Sequence, residues 1–277
     1  MHALSGLRWS VPFAVAGALA SALVGCGDVV VPADAGGSST TSTSDAAGTV
    51  CRDLCGTPDC GECPTNPMID AGAYRIDATE VTVGAYKAFF ATHPVLSDVL
   101  VPGLTECADR EYYLDEYVLD DPDDMPIAVV TWCDAFGYCT WARKHLCGKI
   151  GGGGNYPSDH WTDPAQSEWF NACSAGGTRT FPYGDVYEPE TCNGADDAIP
   201  YEATVYETAC EGGLPGLRDM SGNLQEWDFS CVDSGLGLDC NVRGGTADDT
   251  GPNLACDWTV LFSPVLGGRG IGFRCCE

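Results

Sequence analysis

The chain has 277 residues, enough for one sizeable domain with a real core beyond an N-terminal extension. Its formal net charge of −27 argues against nucleic acid and anionic lipid headgroups as partners, since both would repel so acidic a surface. Charged residues make up only 19 %, and glycine (35) and proline (17) are abundant, which points to a loop-rich fold and away from a helical bundle.

Residues 1–25 read as a secretory signal. Arg8 supplies a positive start, and the apolar stretch 11–19 is too short to span a bilayer as a helix. Leu23-Val24-Gly25-Cys26 then has the form of a bacterial lipobox, with Cys26 as the acylated first residue of the mature chain. This predicts an exported lipoprotein attached to a membrane through its N-terminal lipid anchor, at the periplasmic or surface face, with the outer membrane the expected site. Burial of acyl chains contributes about 0.8 kcal/mol per methylene, so several chains on one residue anchor stably. Residues 26–50 follow as a tether rich in Ala, Gly, Ser, Thr and Asp, too poor in large apolar side chains to offset the entropy of ordering.

Of the 17 cysteines, sixteen remain once Cys26 carries lipid, an even number in a chain sent to an oxidising compartment. Cys51, Cys55, Cys60 and Cys63 form a Cys-rich segment, residues 51–65. Four thiolates suit zinc, but export favours two short disulfides. The main domain is placed at residues 66–277.

Within that domain, 74–76 and 80–83 read as short strands flanking a turn. Residues 83–92 carry apolar side chains at helical spacing and predict a first helix, stopped by Pro94. A second helix is predicted over 134–144, with Ala135, Tyr138, Cys139 and Ala142 on one inward face, and a third over 165–173 with Trp169 buried. The Gly151–Gly154 run lacks a following Lys-Ser/Thr, so it is a loop and not a phosphate cradle. Beyond residue 178 only turns, short strands and glycines are legible. Ser221 lies in Met220-Ser221-Gly222 and not in a Gly-x-Ser-x-Gly elbow. The carboxylates of Asp120-Asp121-Pro122-Asp123-Asp124 and Asp248-Asp249 read as solvated loops.

The densest segment is Gly216-Leu217-Arg218-Asp219-Met220-Ser221-Gly222-Asn223-Leu224-Gln225-Glu226-Trp227. It resembles the signature of the formylglycine-generating (sulfatase-modifying factor) family. Further matches run in the family's order: Asp77-Ala78-Thr79-Glu80-Val81-Thr82, Trp132-Cys133-Asp134-Ala135, Ser167-Glu168-Trp169, Arg243-Gly244-Gly245 and Ile271-Gly272-Phe273-Arg274-Cys275. The resemblance implies an α+β, C-type-lectin-like fold, disulfide-stabilised and with little regular structure. It also implies disulfides Cys139–Cys275 and Cys173–Cys256, and a calcium site from the Asp219 carboxylate, the Gly222 and Leu224 carbonyls and Glu226. Asn193 matches the start of a second family calcium site. Oxygen donors from a tight turn suit calcium.

One departure bears on function. Active family members oxidise a sulfatase cysteine through two copper(I)-binding cysteines that follow the Arg-Gly-Gly-Ser segment. Counting from Gly245 puts Asp249 and Leu254 at those positions, with Thr246 in place of the serine. Neither is a soft ligand, so copper is not expected. Iron is not expected either: relatives that use it draw three histidines from an attached helical domain, whereas this chain has only His2, His93, His145 and His160, without the spacing of a shared face. The expectation is a binding or scaffold module of the cell envelope, presenting the loop of Thr246, Asp248, Asp249 and Asn253 to a peptide, protein or glycan. Two alternatives stay open: an oxidoreductase of the formylglycine-generating or non-haem-iron group with displaced ligands, such as Cys256 with Cys275 or Cys276, and a purely structural envelope protein.

Overall fold

The computed structural model describes residues 50–95, 107, 118, 120–155, 160–197, 199, 201–233 and 238–277. Residues 1–49, on which the expected signal segment, Cys26 and most of the expected tether fall, lie outside the described residues. Among the described residues no helix is long and apolar enough to cross a membrane.

Among the described residues the domain contains two four-stranded sheets and three short α-helices. In the first sheet the order is β1 (Met68–Asp70), β2 (Arg75–Asp77), β8 (Cys275–Cys276), β3 (His145–Leu146), all antiparallel. The C-terminal strand thus lies between early ones, with Cys276 opposite both Ile76 and His145. The second sheet runs β6 (Thr259–Phe262), β5 (Leu238–Arg243), β4 (Gln225–Asp233), β7 (Ile271–Phe273), and only β4–β7 is parallel.

The helices start at side-chain caps. Thr82 Oγ1 accepts from the Ala85 amide and opens α1 (Val83–Phe90). Thr131 and Asp134 form a reciprocal capping box that opens α2 (Trp132–Trp141), two residues earlier than apolar spacing predicts. Ser167 caps α3 (Glu168–Cys173). Each cap contributes about 1 kcal/mol. Nearly every residue of α2 is buried, as befits a helix enclosed on all sides. Its Tyr138 and Trp141 rings meet Tyr86 and Phe89 of α1 and Phe273 of β7, forming the aromatic centre of the core.

Two expectations need correction. Residues 80–83 are not a strand: Thr82 makes a single bridge to Pro126 and then caps α1, so its hydroxyl redirects the chain into a helix. The region after residue 178 contains the larger sheet, with the nine-residue β4. Its alternation is hidden in the sequence because Asp228, Ser230, Asn241 and Arg243 are polar and buried.

All sixteen cysteines of the described residues are paired. Cys51–Cys60 and Cys55–Cys63 close the N-terminal cluster, and Cys231–Cys240 ties β4 to β5. Cys139–Cys275 and Cys147–Cys276 fasten β8 to the middle of the chain, and Cys173–Cys256 joins α3 to the segment after the Asp249 loop. Cys107–Cys133 and Cys192–Cys210 complete the set. Cys139–Cys275 closes a loop of sequence separation 136, which in a chain-entropy account contributes roughly 4 to 5 kcal/mol.

Candidate functional site

The turn leading into β4 is held in a conformation few residues adopt. Asp219, Gly222 and Asn223 have φ of 56°, 73° and 61°, all left-handed. At Gly222 a side chain is also sterically excluded, since a Cβ would lie 2.2 Å from the Asn193 carbonyl oxygen. That contact presses the Asn193 segment onto the turn, where the Asn223 amide donates to the same carbonyl at 2.8 Å.

Asn223 is the hub. Its Oδ1 accepts from Asn193 Nδ2 at 3.0 Å and from the Ala203 amide at 2.7 Å, while its Nδ2 donates to Glu80 Oε1 at 2.9 Å. Asp219 Oδ1 accepts from the Thr208 hydroxyl. Glu226 takes the Arg274 guanidinium on both oxygens, at 2.6 to 2.9 Å, and the Trp169 Nε1–H at 2.8 Å. Arg274 also donates to the carbonyls of Asp77 and Arg218.

Glu80, Asp219 and Glu226 are therefore three buried carboxylates around one guanidinium. Burial raises the Asp219 carboxyl to about 6, and burial together with Asp219 raises Glu80 well above its usual range. Three oxygens near this turn have no hydrogen-bond partner: Glu80 Oε2, Asp219 Oδ2 and Asn193 Oδ1. Behind the turn, buried Arg243 pairs with Asp228, donates to the Trp161 carbonyl at 2.6 Å and lies 5.4 Å from the centre of the Trp169 ring.

The loop after Gly245 is braced from within. Asp249 Oδ2 accepts from the Thr246 amide at 2.9 Å and its hydroxyl at 3.0 Å, and Oδ1 accepts from Asn253 Nδ2 at 3.0 Å. Leu254 is 1 % exposed and packs with Phe181 and Ala255. Cys256 is bonded to Cys173, so no free thiol remains in this loop. Of the four residues expected to face a ligand, Thr246 and Asp248 line a groove of about 500 Å³, while Asp249 and Asn253 hold the loop together. Met125 and Val129 give the groove an apolar wall, Tyr201 (74 % exposed) stands at its lip, and Asp121, Glu202 and Arg269 add charge. Among the described residues no ion pair engages the groove's acidic side chains, Asp121, Glu202 and Asp248.

Metal-competent atoms of Cys147, Glu168 and Cys276 lie within 4.8 Å of one another. Both sulfurs are committed to a disulfide, and Glu168 accepts from the Gly148 amide and meets His145 Nε2 at 3.0 Å.

Residues 34–277 match the model of the Sulfatase-modifying factor enzyme 1-like domain. The chain belongs to this family. It is 30 % identical to the formylglycine-generating enzyme of Bos taurus over 191 residues, covering 58 % of this chain and 46 % of that one. It is 26 % identical to the inactive C-alpha-formylglycine-generating enzyme 2 of Mus musculus over 169 residues, covering 55 % and 49 %. The chain thus spans about half the length of these curated relatives. Among solved structures, PvdO from Pseudomonas aeruginosa superposes with a TM-score of 0.49 at 17 % identity, covering 73 % of this chain and 79 % of that one.

Sequence reading misses Glu80 as part of the site, placing it only at the start of a short strand. The available signal was a carboxylate between Thr79 and Val81 inside a family-matching block. Asn223 and Arg274 stand in the sequence only as letters of the family's blocks, because a hub that joins residues 80, 193 and 203 has no local signature.

Proposed function

We propose that this chain is an exported, lipid-anchored binding module of the cell envelope, and not a copper-dependent formylglycine-generating oxidase. One observation carries the reading. The two positions where the family's oxidases place copper-binding cysteines hold Asp249, consumed by the loop's own hydrogen bonds, and Leu254, consumed by the core. Copper(I) requires thiolate or thioether donors, and the sulfurs of Cys256, Cys275 and Cys276 are all in disulfides. That one similar protein is named inactive is consistent with a family that keeps this fold without the activity.

The groove beside Thr246 and Asp248 is the ligand site in this reading. Its unpaired carboxylates and the chain's overall charge of −27 favour a basic ligand, a peptide or protein segment with apolar neighbours to meet Met125 and Val129. Calcium is the metal that fits the Asp219 turn in kind, because the donors there are oxygens and two carboxylates are buried without full compensation. Bound, it would neutralise that charge and fix the turn that supports the groove loop.

Two measurements test this. Intact mass of the mature protein, lipidated at Cys26 and alkylated natively without reduction, is expected to show no adducts. Two adducts, one at Cys256, would restore the oxidase. The same protein with copper is expected to leave a Cys-x-Pro-x-Arg peptide unoxidised, and to retain members of a basic peptide array in a salt-sensitive manner.

A further inference from the structure

Val129 is held at a φ of 62°, and among the described non-glycine residues at positive φ it is the one with a β-branched side chain. A branched Cβ is the hardest to place in that left-handed region, which glycine and asparagine enter easily. Its neighbours dictate the backbone. Ile127 and Val130 are buried on either side. The Ile127 amide donates to the Val81 carbonyl at 2.8 Å, and the Val130 carbonyl accepts the Trp227 indole N–H at 3.0 Å. The Val129 amide itself donates to the Gly268 carbonyl at 3.2 Å. At Gly267 a Cβ would lie 2.5 Å from the Val129 carbonyl oxygen, so glycine is needed there for the two segments to meet. The conformation at residue 129 is thus imposed, and a valine bears it with strain that glycine would not have.

The half-buried valine side chain lines the same groove as Thr246 and Asp248, beside Met125 and Pro126 of its own segment. We infer that Val129 is a specificity-determining residue of this groove, forming an apolar subsite for one aliphatic side chain that a bound peptide carries among its basic residues. This rests on the groove reading above and adds what the ligand must bring besides charge.

Charge alone would leave the ligand unselected. Asp121, Glu202 and Asp248 line the groove, and their attraction speeds the encounter with any basic segment. A methyl surface in the same groove rewards only a side chain that covers it, because covering removes apolar area on both partners from water. Strain singles out Val129 as the residue kept for that task. Met125 and Pro126 have structural duties of their own: the Met125 carbonyl accepts from the Val83 amide at 2.8 Å where α1 begins, and Pro126 is buried and bridged to Thr82. Val129 touches the core on part of its surface only. Were packing its whole purpose, asparagine or glycine would hold the same backbone with less strain. Residues kept in strained conformations concentrate at ligand sites.

The test uses the mature, full-length protein and two synthetic peptides, acetyl-Lys-Lys-Leu-Lys-Lys-amide and its counterpart with a central glycine. Wild type is expected to bind the leucine peptide about fivefold tighter, with both affinities falling as salt rises. Val129→Asn installs a residue that accepts left-handed backbone and offers no methyls. It is expected to reduce the leucine preference to about twofold or less, to leave the glycine peptide's affinity unchanged, and to keep Tm at or above that of wild type. Should Val129→Asn not fold, Val129→Thr decides. It keeps the branched shape and the strain but exchanges a methyl for a hydroxyl, and the leucine preference should again fall. Wild type that binds neither peptide would defeat the groove reading, and this inference with it. Salt-sensitive binding without a leucine preference, or a preference that survives the substitution, would overturn the inference alone. A lowered Tm with both peptides weakened by the same factor would make Val129 a packing residue, and would overturn it too.

Discussion

The side-chain amide of Asn253 donates to Asp249 Oδ1 at 3.0 Å, closing a loop whose other end, Thr246, is held by the second oxygen of the same carboxylate. An acidic residue that looked available to a ligand is thereby fully occupied. The neighbouring Asp248 has no such task for its carboxylate, and lines the groove.

Restoring the family's cysteines is therefore expected to fail. Asp249→Cys removes three hydrogen bonds to a loop brace, each worth about 1 kcal/mol. Leu254→Cys trims a core residue that is 1 % exposed, at roughly 1 to 3 kcal/mol by comparison with larger truncations. The double variant should melt well below wild type and show no copper-dependent peptide oxidation. Urea unfolding and a peptide mass assay check both halves, and a copper-activated double variant would contradict this account.

Gly222→Ala should be among the more damaging single-methyl additions. It combines a φ of 73° with a Cβ position 2.2 Å from the Asn193 oxygen, so the Asn193 segment must move or the turn must unwind. A loss of about 2 to 4 kcal/mol is expected from strain plus the severed Asn223–Asn193 bonds. Hydrogen exchange at the Asn223 amide, which donates to the Asn193 carbonyl at 2.8 Å, should accelerate in step.

What the sequence disclosed, and what it withheld, follows from how far apart the cooperating residues lie. Helices α1 and α2 were legible because cap, apolar spacing and stop all fall within one window; only the capping box of Thr131 and Asp134 moved the start of α2. Family blocks then supplied the fold. The β4–β5 pair was opaque because Asp228, Ser230, Asn241 and Arg243 turn polar side chains into the interior, erasing the alternation that marks a strand. Glu80 was opaque for a similar reason: its meaning depends on Asn223, 143 positions away. The groove needed coordinates, since Asp121, Glu202, Asp248 and Arg269 come from four separate loops.

Arg274 should not be replaceable by lysine. Its guanidinium spans Glu226, the Asp77 carbonyl and the Arg218 carbonyl, a planar fork that an ammonium cannot reproduce. Arg274→Met would leave buried carboxylates without their cation, at about 3 to 5 kcal/mol. Arg274→Lys should recover less than half of that loss in chemical denaturation. Full recovery would mean that charge alone, and not the fork, holds β8 to the turn.

Asp77 offers a pH readout away from the turn. Burial raises its carboxyl above the usual 3.8, while Lys144 and the Cys275 amide pull it down without cancelling the effect. Because the folded value exceeds the unfolded one, protonation favours the fold. That contribution is complete below 3.8 and is lost as pH rises through the higher folded value. The side-chain carboxyl resonance should thus titrate above the position of free aspartate, and Lys144→Met should move its midpoint further up. A midpoint below 3.8 would show that the Lys144 ion pair outweighs burial.

The groove yields the remaining prediction. Asp248 lies on the rim formed by a braced loop, so Asp248→Asn removes charge without touching the Asp249 bonds. Its carboxylate makes no ion pair among the described residues, and stability should change by less than about 0.5 kcal/mol. Affinity for a basic peptide should fall severalfold at low ionic strength, and the gap to wild type should narrow as salt screens the interaction. Combining it with Glu202→Gln, from a separate loop of the same groove, should deepen the loss. If binding is insensitive to both substitutions and to salt, the ligand is recognised through Met125, Val129 and Tyr201, and the groove selects by apolar contact.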